Sequence, residues 1–320
     1  MKTIPFMQVS RAFGAESIRW FQDEARAMVA RATWGVPRPV IGLLDRISKK
    51  FLERSGQKYQ EEIAAVAWYL GRPGAYFLNA NYEWGCTVKA YDTPRGPELV
   101  RVLDWATPGL GDSVIMLKIA GDLGYWYTPS WPGFVGAIHA FAPGRFAIAL
   151  NQAPLYERTG SFYLDWALER KRVWNSGGML PVHLVRTVME QATNYSHARA
   201  LLLEAPLCGR AIFSIVGTEP GECSIIERSR YLSYLARTET AANHFVACPD
   251  DGHHRGHHSV ERARALAEIE CDPSDKEFSW LQQPVMNSRT VLAFIANPSL
   301  GTFDVCGIDK QARVTETFSI

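Results

Sequence analysis

The apolar rhythm of the chain changes once, near residue 85, and that change limits the folds open to it. Before it the spacing is helical. Glu16 begins an amphipathic run that continues to about Ala32, and Pro37 and Pro39 interrupt it. Val40 to about Ser55 gives a second helix, and Ile63, Val66, Ala67 and Leu70 recur at helical spacing in a third. Gly71-Arg72-Pro73-Gly74 ends that helix. Beyond residue 85 the chain reads as hairpins. Cys86 to Tyr91 and Leu99 to Trp105 are extended, with Asp92-Thr93-Pro94-Arg95-Gly96 as the turn between them. Phe134–Phe141 with Phe146–Asn151, Ala211–Val216 with Cys223–Glu227, and Thr290–Ala296 with Thr302–Ile308 repeat the pattern. Helical stretches lie between them, at 162–174, 180–192, 197–204 and 260–270. Paired hairpins with helices in blocks predict an α+β fold of antiparallel sheets covered by helices. The division falls into a helical segment, 1–85, and a larger domain, 86–320.

Composition excludes several classes of function. The net charge is +1, and the longest basic run is the three residues Arg170-Lys171-Arg172, so nucleic acid is not an expected partner. No stretch approaches the roughly 18 apolar residues of a membrane span. The first residues show no secretion signal, which makes a cytoplasmic location the expectation. Six cysteines are spread through the second part with no C-x-x-C pair, so no disulfide framework is expected. His253, His254, His257 and His258 have a spacing that would suit zinc on a helix. Gly252 and Gly256 argue for a loop instead, and no metal or cofactor is expected. Self-association and a peripheral membrane contact through the helices bearing Trp20, Phe21 and Trp34 are left open.

Taken alone, Cys86 reads as a buried structural thiol, Arg101 with Asp104 as an ion pair, and Asn151 and Asn243 as turn residues. Their surroundings change the reading. Glu62-Ile63-Ala64-Ala65-Val66-Ala67 is followed by Asn79-Ala80-Asn81-Tyr82-Glu83, then Gly85-Cys86-Thr87, then Arg101-Val102-Leu103-Asp104-Trp105. This ordered set resembles the acid ceramidase and N-acylethanolamine-hydrolysing acid amidase family. That family is related to bile salt (choloylglycine) hydrolases, penicillin V acylases and isopenicillin N acyltransferases. Phe146 to Asn151 resembles the segment that carries an oxyanion-hole asparagine in the bile salt hydrolases. Ala242-Asn243-His244-Phe245 and Ser259-Val260-Glu261-Arg262 resemble two segments of the acyltransferase branch. One position departs from the pattern: Val102 stands where the family has asparagine.

The resemblance implies a four-layer αββα sandwich of the N-terminal-nucleophile (Ntn) hydrolase type, made as a zymogen. Cleavage of the Gly85–Cys86 bond would expose Cys86 as nucleophile. The new α-amine, with an ordinary pKa near 8, then serves as base, so no histidine is required. In this reading Asp104 orients the amine and Arg101 favours the thiolate. Asn151 and Asn243 donate to the oxyanion, and Arg262 holds the site from behind. The substrate is a small N-acyl amide, cut by way of a thioester. Trp105, Tyr125, Trp126, Trp131 and Phe134 are the candidates to line its apolar pocket. An acyltransferase and a non-catalytic binding protein on the same fold are the alternatives; Val102 lends weight to the second. One conflict is internal to the sequence. Arg101 and Asp104 are three apart, so an unbroken strand points them to opposite faces. A bulge or a strand end is needed if both are to reach Cys86.

Overall fold

A computed structural model describes every residue except Tyr82. The first part of the chain forms helices α1 (Phe13–Trp20), α2 (Gln22–Ala32), α3 (Arg38–Arg54), α4 (Gln60–Leu70) and α5 (Ala75–Ala80). The expected run to Ala32 is two helices, because Phe21 leaves helical geometry at φ −124° and ψ 44°. Pro37 is the N-cap of α3, with Pro39 inside its first turn, where a missing N–H costs nothing. Gly71, at φ +66°, closes α4 in the left-handed conformation that glycine adopts without strain.

The stretch before Cys86 begins as helix: Asn79 lies in α5. Its side-chain amide donates to Ala75 O and Gly133 O, and its oxygen accepts from Val135 N. One buried asparagine thus ties the helix to the loop ahead of the next strand. Tyr82 of the same motif lies outside the described residues.

The strands are β1 (Phe6–Val9), β2 (Trp84–Thr93), β3 (Gly96–Trp105), β4 (Ile115–Gly121), β5 (Gly124–Ser130), β6 (His139–Ala142), β7 (Phe146–Asn151), β8 (Ala211–Val216), β9 (Cys223–Arg228), β10 (Ser233–Ala236), β11 (Thr240–Ala241), β12 (Thr290–Asn297), β13 (Thr302–Asp309), β14 (Ala312–Arg313) and β15 (Phe318–Ser319). The strand expected from Phe134 begins only at His139. The backbone before it is already engaged: Val135 N by Asn79, and Ala137 N by Val182 O. The later helices are α6 (Phe162–Trp174), α7 (Pro181–Gln191), α8 (Tyr195–Glu204) and α9 (Ser259–Glu268).

These elements make two sheets. One runs β1-β4-β5-β6-β7-β8-β9-β10; the other runs β11-β2-β3-β12-β13-β14, with β15 on β13. Helices α7 and α8 pack on the first sheet and α9 on the second, and β2 and β3 face β7 and β8 across the middle. The result is the four-layer αββα sandwich. All pairings are antiparallel except β1 on β4, so residues ahead of position 85 supply one strand of the larger sheet. No helix among the described residues is long and apolar enough to cross a membrane.

Register decides which side chains meet. β2 and β3 pair without a shift from Trp84↔Trp105 to Thr93↔Gly96. Alternation then sends Cys86 and Val88 with Leu99 and Leu103 into the main core between the sheets. Val100 and Val102 face outward, into a second cluster with Leu266 of α9 and Trp280. The irregularity lies in β12, between Thr290 and Leu292, opposite Asp104 and Leu103.

Candidate active site

Cys86 is fully buried on the inner face of β2. Its Sγ lies 3.9 Å from Leu150 O and 3.7 Å from Asn243 Nδ2. Arg101 reaches the same place from β3. Its Nη2 donates to Leu150 O at 2.8 Å and its Nη1 to Asn151 Oδ1 at 3.2 Å. Burial pushes the Cys86 thiol above its ordinary pKa. The Arg101 charge opposes this most, followed by the Gln152 N–H, the Arg262 charge and the Asn243 amide. Burial wins in the uncut chain, so the thiol there is protonated.

The other face of the same strands carries the support. Asp104 Oδ2 lies 3.3 Å from Arg262 Nη1 and accepts from Asn287 Nδ2 at 2.8 Å; Oδ1 accepts from Thr290 Oγ1 at 2.8 Å. Arg262, on α9, donates to Thr87 Oγ1 at 2.5 Å and to Asn243 Oδ1 at 2.9 Å. Asn243 Oδ1 also accepts from Cys86 N at 2.9 Å. A continuous path therefore runs from Asp104 through Arg262 and Asn243 to the peptide nitrogen of Cys86. Asp104 stands opposite Gly85 rather than beside the thiol: a Cβ placed on Gly85 would lie 3.4 Å from Asp104 Oδ2. The conflict between Arg101 and Asp104 is resolved without a bulge in β3, since the two act from opposite faces of one strand pair.

The structure thus brings Cys86, Arg101, Asp104, Asn151, Asn243 and Arg262 into one cluster. In the uncut chain both asparagine amides are engaged. Asn151 Nδ2 donates to Ala241 O and Ala242 O, and Asn243 Nδ2 donates to Gln152 O. Val102 points away from Cys86, so its departure from the family pattern removes nothing from the thiol's side. Three further residues contribute to the cluster. Gln152 gives its N–H toward the thiol and its side-chain oxygen to Trp84 N. Ser259 Oγ accepts from Asn243 N at 2.7 Å and contacts His244 Nδ1 at 2.8 Å. Gly256, at φ +70°, packs directly on Gly85, where a side chain would strike Arg262 and Asn243. Gln152 follows Asn151 directly in sequence, Ser259 opens the segment that ends at Arg262, and Gly256 had no local signal for this role.

A cavity of about 750 Å³ opens beside this cluster, within the usual range of about 300–1,000 Å³ for small-molecule sites. Trp105, Trp131 and Phe134 line it, with Met28, Val66 and Leu78 from the N-terminal helices. Tyr125 and Trp126 do not. Trp126 is buried against Phe13 with ring centres 5.7 Å apart, and Tyr125 is half exposed under Lys118. A smaller cavity of about 70 Å³ touches Asn151 and Gln152. Trp84 lines the small cavity and its ring packs on Trp105, so it stands between the two spaces. The histidines of the 253–258 loop bond locally, His253 to Asp165 and His254 to Asp251.

Comparison with known proteins matches this geometry. No family model matches the chain. A segment of 103 residues, 32% of the chain, is 34% identical to acid ceramidase of Homo sapiens, and the same length is 32% identical to that of Heterocephalus glaber. The chain spans about a quarter of these relatives, 24% of their length. A solved structure, the Caenorhabditis elegans ortholog of N-acylethanolamine-hydrolysing acid amidase, superposes with a TM-score of 0.50 at 15% identity. It covers 67% of this chain and 93% of its own. The 103-residue segment of the chain is similar to acid ceramidase. The chain's fold is the Ntn-hydrolase sandwich, as the two facing sheets and their outer helices require.

Proposed function

We propose that the chain is a cysteine amidohydrolase that activates itself by cutting Gly85–Cys86 and then hydrolyses a linear N-acyl amide through a Cys86 thioester. One observation carries the reading: a single buried cluster holds both atoms that the chemistry needs. Asn243 grips the Cys86 peptide nitrogen and also lies against its thiol, while the Arg101 guanidinium, which forms no ion pair among the described residues, lies on the thiol side.

In the first step the thiol attacks the Gly85 carbonyl, and the carbon–nitrogen bond to Cys86 gives way to a thioester. The nitrogen takes the thiol's proton. Water then hydrolyses the thioester, leaving the Gly85 carboxylate and a free amine on Cys86. Gly85 suits this step because glycine lets the backbone take a strained conformation at little cost. The freed amine, near Asn243 and Asp104, becomes the general base for the second reaction. Release of the segment ending at Gly85 lets Trp84 leave the wall between the two cavities, and an apolar acyl chain in the large cavity then reaches Cys86. Attack on the substrate carbonyl forms an acyl-enzyme, the amine departs with a proton, and water completes hydrolysis. Asn243 and the Gln152 N–H are the donors placed nearest the thiol, and one such donor contributes on the order of 3 kcal/mol to the transition state.

The test is to trap the intermediate. Protein incubated with a fatty N-acylethanolamide and quenched in acid is expected to carry the acyl mass on the peptide beginning at Cys86. Hydrolysis that proceeds equally in Cys86→Ala would overturn the reading.

A further inference from the structure

The inner end of the apolar cavity is cationic. Arg170 of α6 lines both the large and the small cavity, and Arg255 lines the small one. Arg255 is 6% exposed, and its backbone N–H donates to Asn243 O, so it is fixed directly behind the asparagine that holds Cys86. Arg170 has no carboxylate in ion-pair contact among the described residues. Its one hydrogen bond is a 3.4 Å contact from Nη1 to Asn81 Oδ1. The Nε groups of both arginines are buried without a partner. Two such cations side by side repel each other, and each loses hydration, which holds the Arg170 pKa below its ordinary value.

Among the described residues the anion in contact with them is Glu83, on the segment whose end the cut frees; Glu169, which also lines the small cavity, acts on Arg170 without ion-pair contact. Glu83 accepts from Arg255 Nη1 and, at 2.6 Å, from Trp166 Nε1, and the Arg170 charge acts on it as well. Burial works to raise its pKa, but the Arg255 charge and hydrogen bond, the Arg170 charge and the Trp166 N–H together hold the carboxyl below its usual range. Glu83 is two residues ahead of Gly85. Once Gly85–Cys86 is cut, this carboxylate sits on a free end, and its departure leaves Arg255 and the Trp166 N–H without the acceptor they share and Arg170 without the strongest carboxylate charge acting on it.

We infer that Arg170, Arg255 and Trp166 form a carboxylate subsite, filled by Glu83 in the zymogen and by the substrate in the mature enzyme. The subsite rests on the amidase reading above and narrows its substrate to an N-acyl amino acid. The placement argues for this class. The apolar tail fills the Trp105–Trp131–Phe134 cavity, whereas Arg170 lines the small cavity that Asn151 and Gln152 share and Arg255 is tied through its backbone to Asn243, the residue that holds Cys86. The negative charge therefore sits close to the reacting amide rather than at the far tip of the acyl chain. An amino-acid carboxylate meets that requirement, and a neutral ethanolamine does not.

The test compares N-lauroylglycine with N-lauroylethanolamine, which share the chain and the amide and differ in the carboxylate. With cleaved protein, kcat/KM is expected to favour the glycine conjugate by about tenfold or more, mainly through KM, as charge-assisted hydrogen bonds are stronger than neutral ones. Arg170→Gln is expected to bring the ratio near one, and Arg170→Lys to restore part of it; thermal unfolding verifies that each variant is folded. Equal use of both amides, or a ratio unmoved by Arg170→Gln, overturns the subsite and leaves the amidase reading standing. Hydrolysis of neither amide overturns the amidase reading instead. The subsite is then judged by calorimetry on the same proteins, or on Glu83→Ala where the chain stays uncut. Tighter binding of the glycine conjugate supports it, and equal binding overturns it.

Discussion

The side-chain oxygen of Asn243 accepts the Cys86 peptide N–H at 2.9 Å, across 157 positions of sequence. The same oxygen takes the Arg262 guanidinium, so the scissile peptide is held from its nitrogen side by an amide that an arginine polarises. Asn243→Ala removes this grip and leaves Arg262 with one acceptor fewer. Self-cleavage is expected to slow by about 100-fold, the lower end of what loss of one positioned donor does to acyl transfer. The fraction cut against time, read on a denaturing gel, measures it. Cleavage at the wild-type rate would remove Asn243 from the mechanism.

Gly256→Ala tests the same place from the backbone side. The added Cβ would lie 2.9 Å from Arg262 Nη2 and 3.3 Å from the Gly85 α-carbon, at a φ of +70° that alanine avoids. The expected result is a folded, stable chain that fails to cut itself, seen as normal expression with no fragments.

Arg101 is fully buried and lies against the thiol without a carboxylate partner, so its charge acts on Cys86. The sign is direct. A nearby cation lowers a thiol pKa, and removing it raises that pKa. In cleaved Arg101→Met, the alkylation rate of Cys86 against pH is expected to move to higher pH. Arg101→Lys should move it less. An unshifted profile would assign Arg101 to packing alone.

After the proposed cut no disulfide would join the two fragments, since residues 1–85 contain no cysteine, and packing alone is expected to hold them. Arg186 of α7 is the main tie. It pairs with Glu62 Oε2 at 2.7 Å, donates to Val135 O and Arg11 O, and lies over the Tyr59 and Phe13 rings. Arg186→Met strands the buried Glu62, at a cost of about 3–5 kcal/mol for breaking a buried pair. The cut variant is expected to separate into its fragments on a sizing column, whereas the cut wild type elutes as one species.

Acid weakens the fold. Burial lowers the His183 pKa to about 3 and that of His139 well below its ordinary value. Each is neutral in the folded chain but takes a proton in the unfolded one below about 6.5. Unfolded protein thus binds more protons, and stability falls as pH drops from 6.5 toward 3, by up to about 1.4 kcal/mol per pH unit for each histidine. Thermal midpoints measured at pH 7, 6, 5 and 4 should decline in that order.

Much of this was legible in the sequence, for physical reasons. The hairpins at 211–227 and 290–308 were readable because their strands are apolar runs bounded by Gly- or Pro-bearing turns. The faces of Arg101 and Asp104 followed from strand parity alone, and the structure keeps that parity. Helix α5 had no assignment of its own, because it is short and held by Asn79 through partners 54 and 56 positions away. Strands β4 and β5 passed unread, since the aromatic run Tyr125-Trp126-Tyr127 looks equally like pocket and core. The Glu83–Arg255 pair joins residues 172 apart and has no local signature.

Intact mass spectrometry of freshly purified chain, beside Cys86→Ala, tests the central claim most directly. The account predicts two fragments, 1–85 and 86–320, whose masses sum to the chain plus one water, and a single unbroken chain for Cys86→Ala. A wild-type protein that hydrolyses amides while remaining one uncut chain would contradict it.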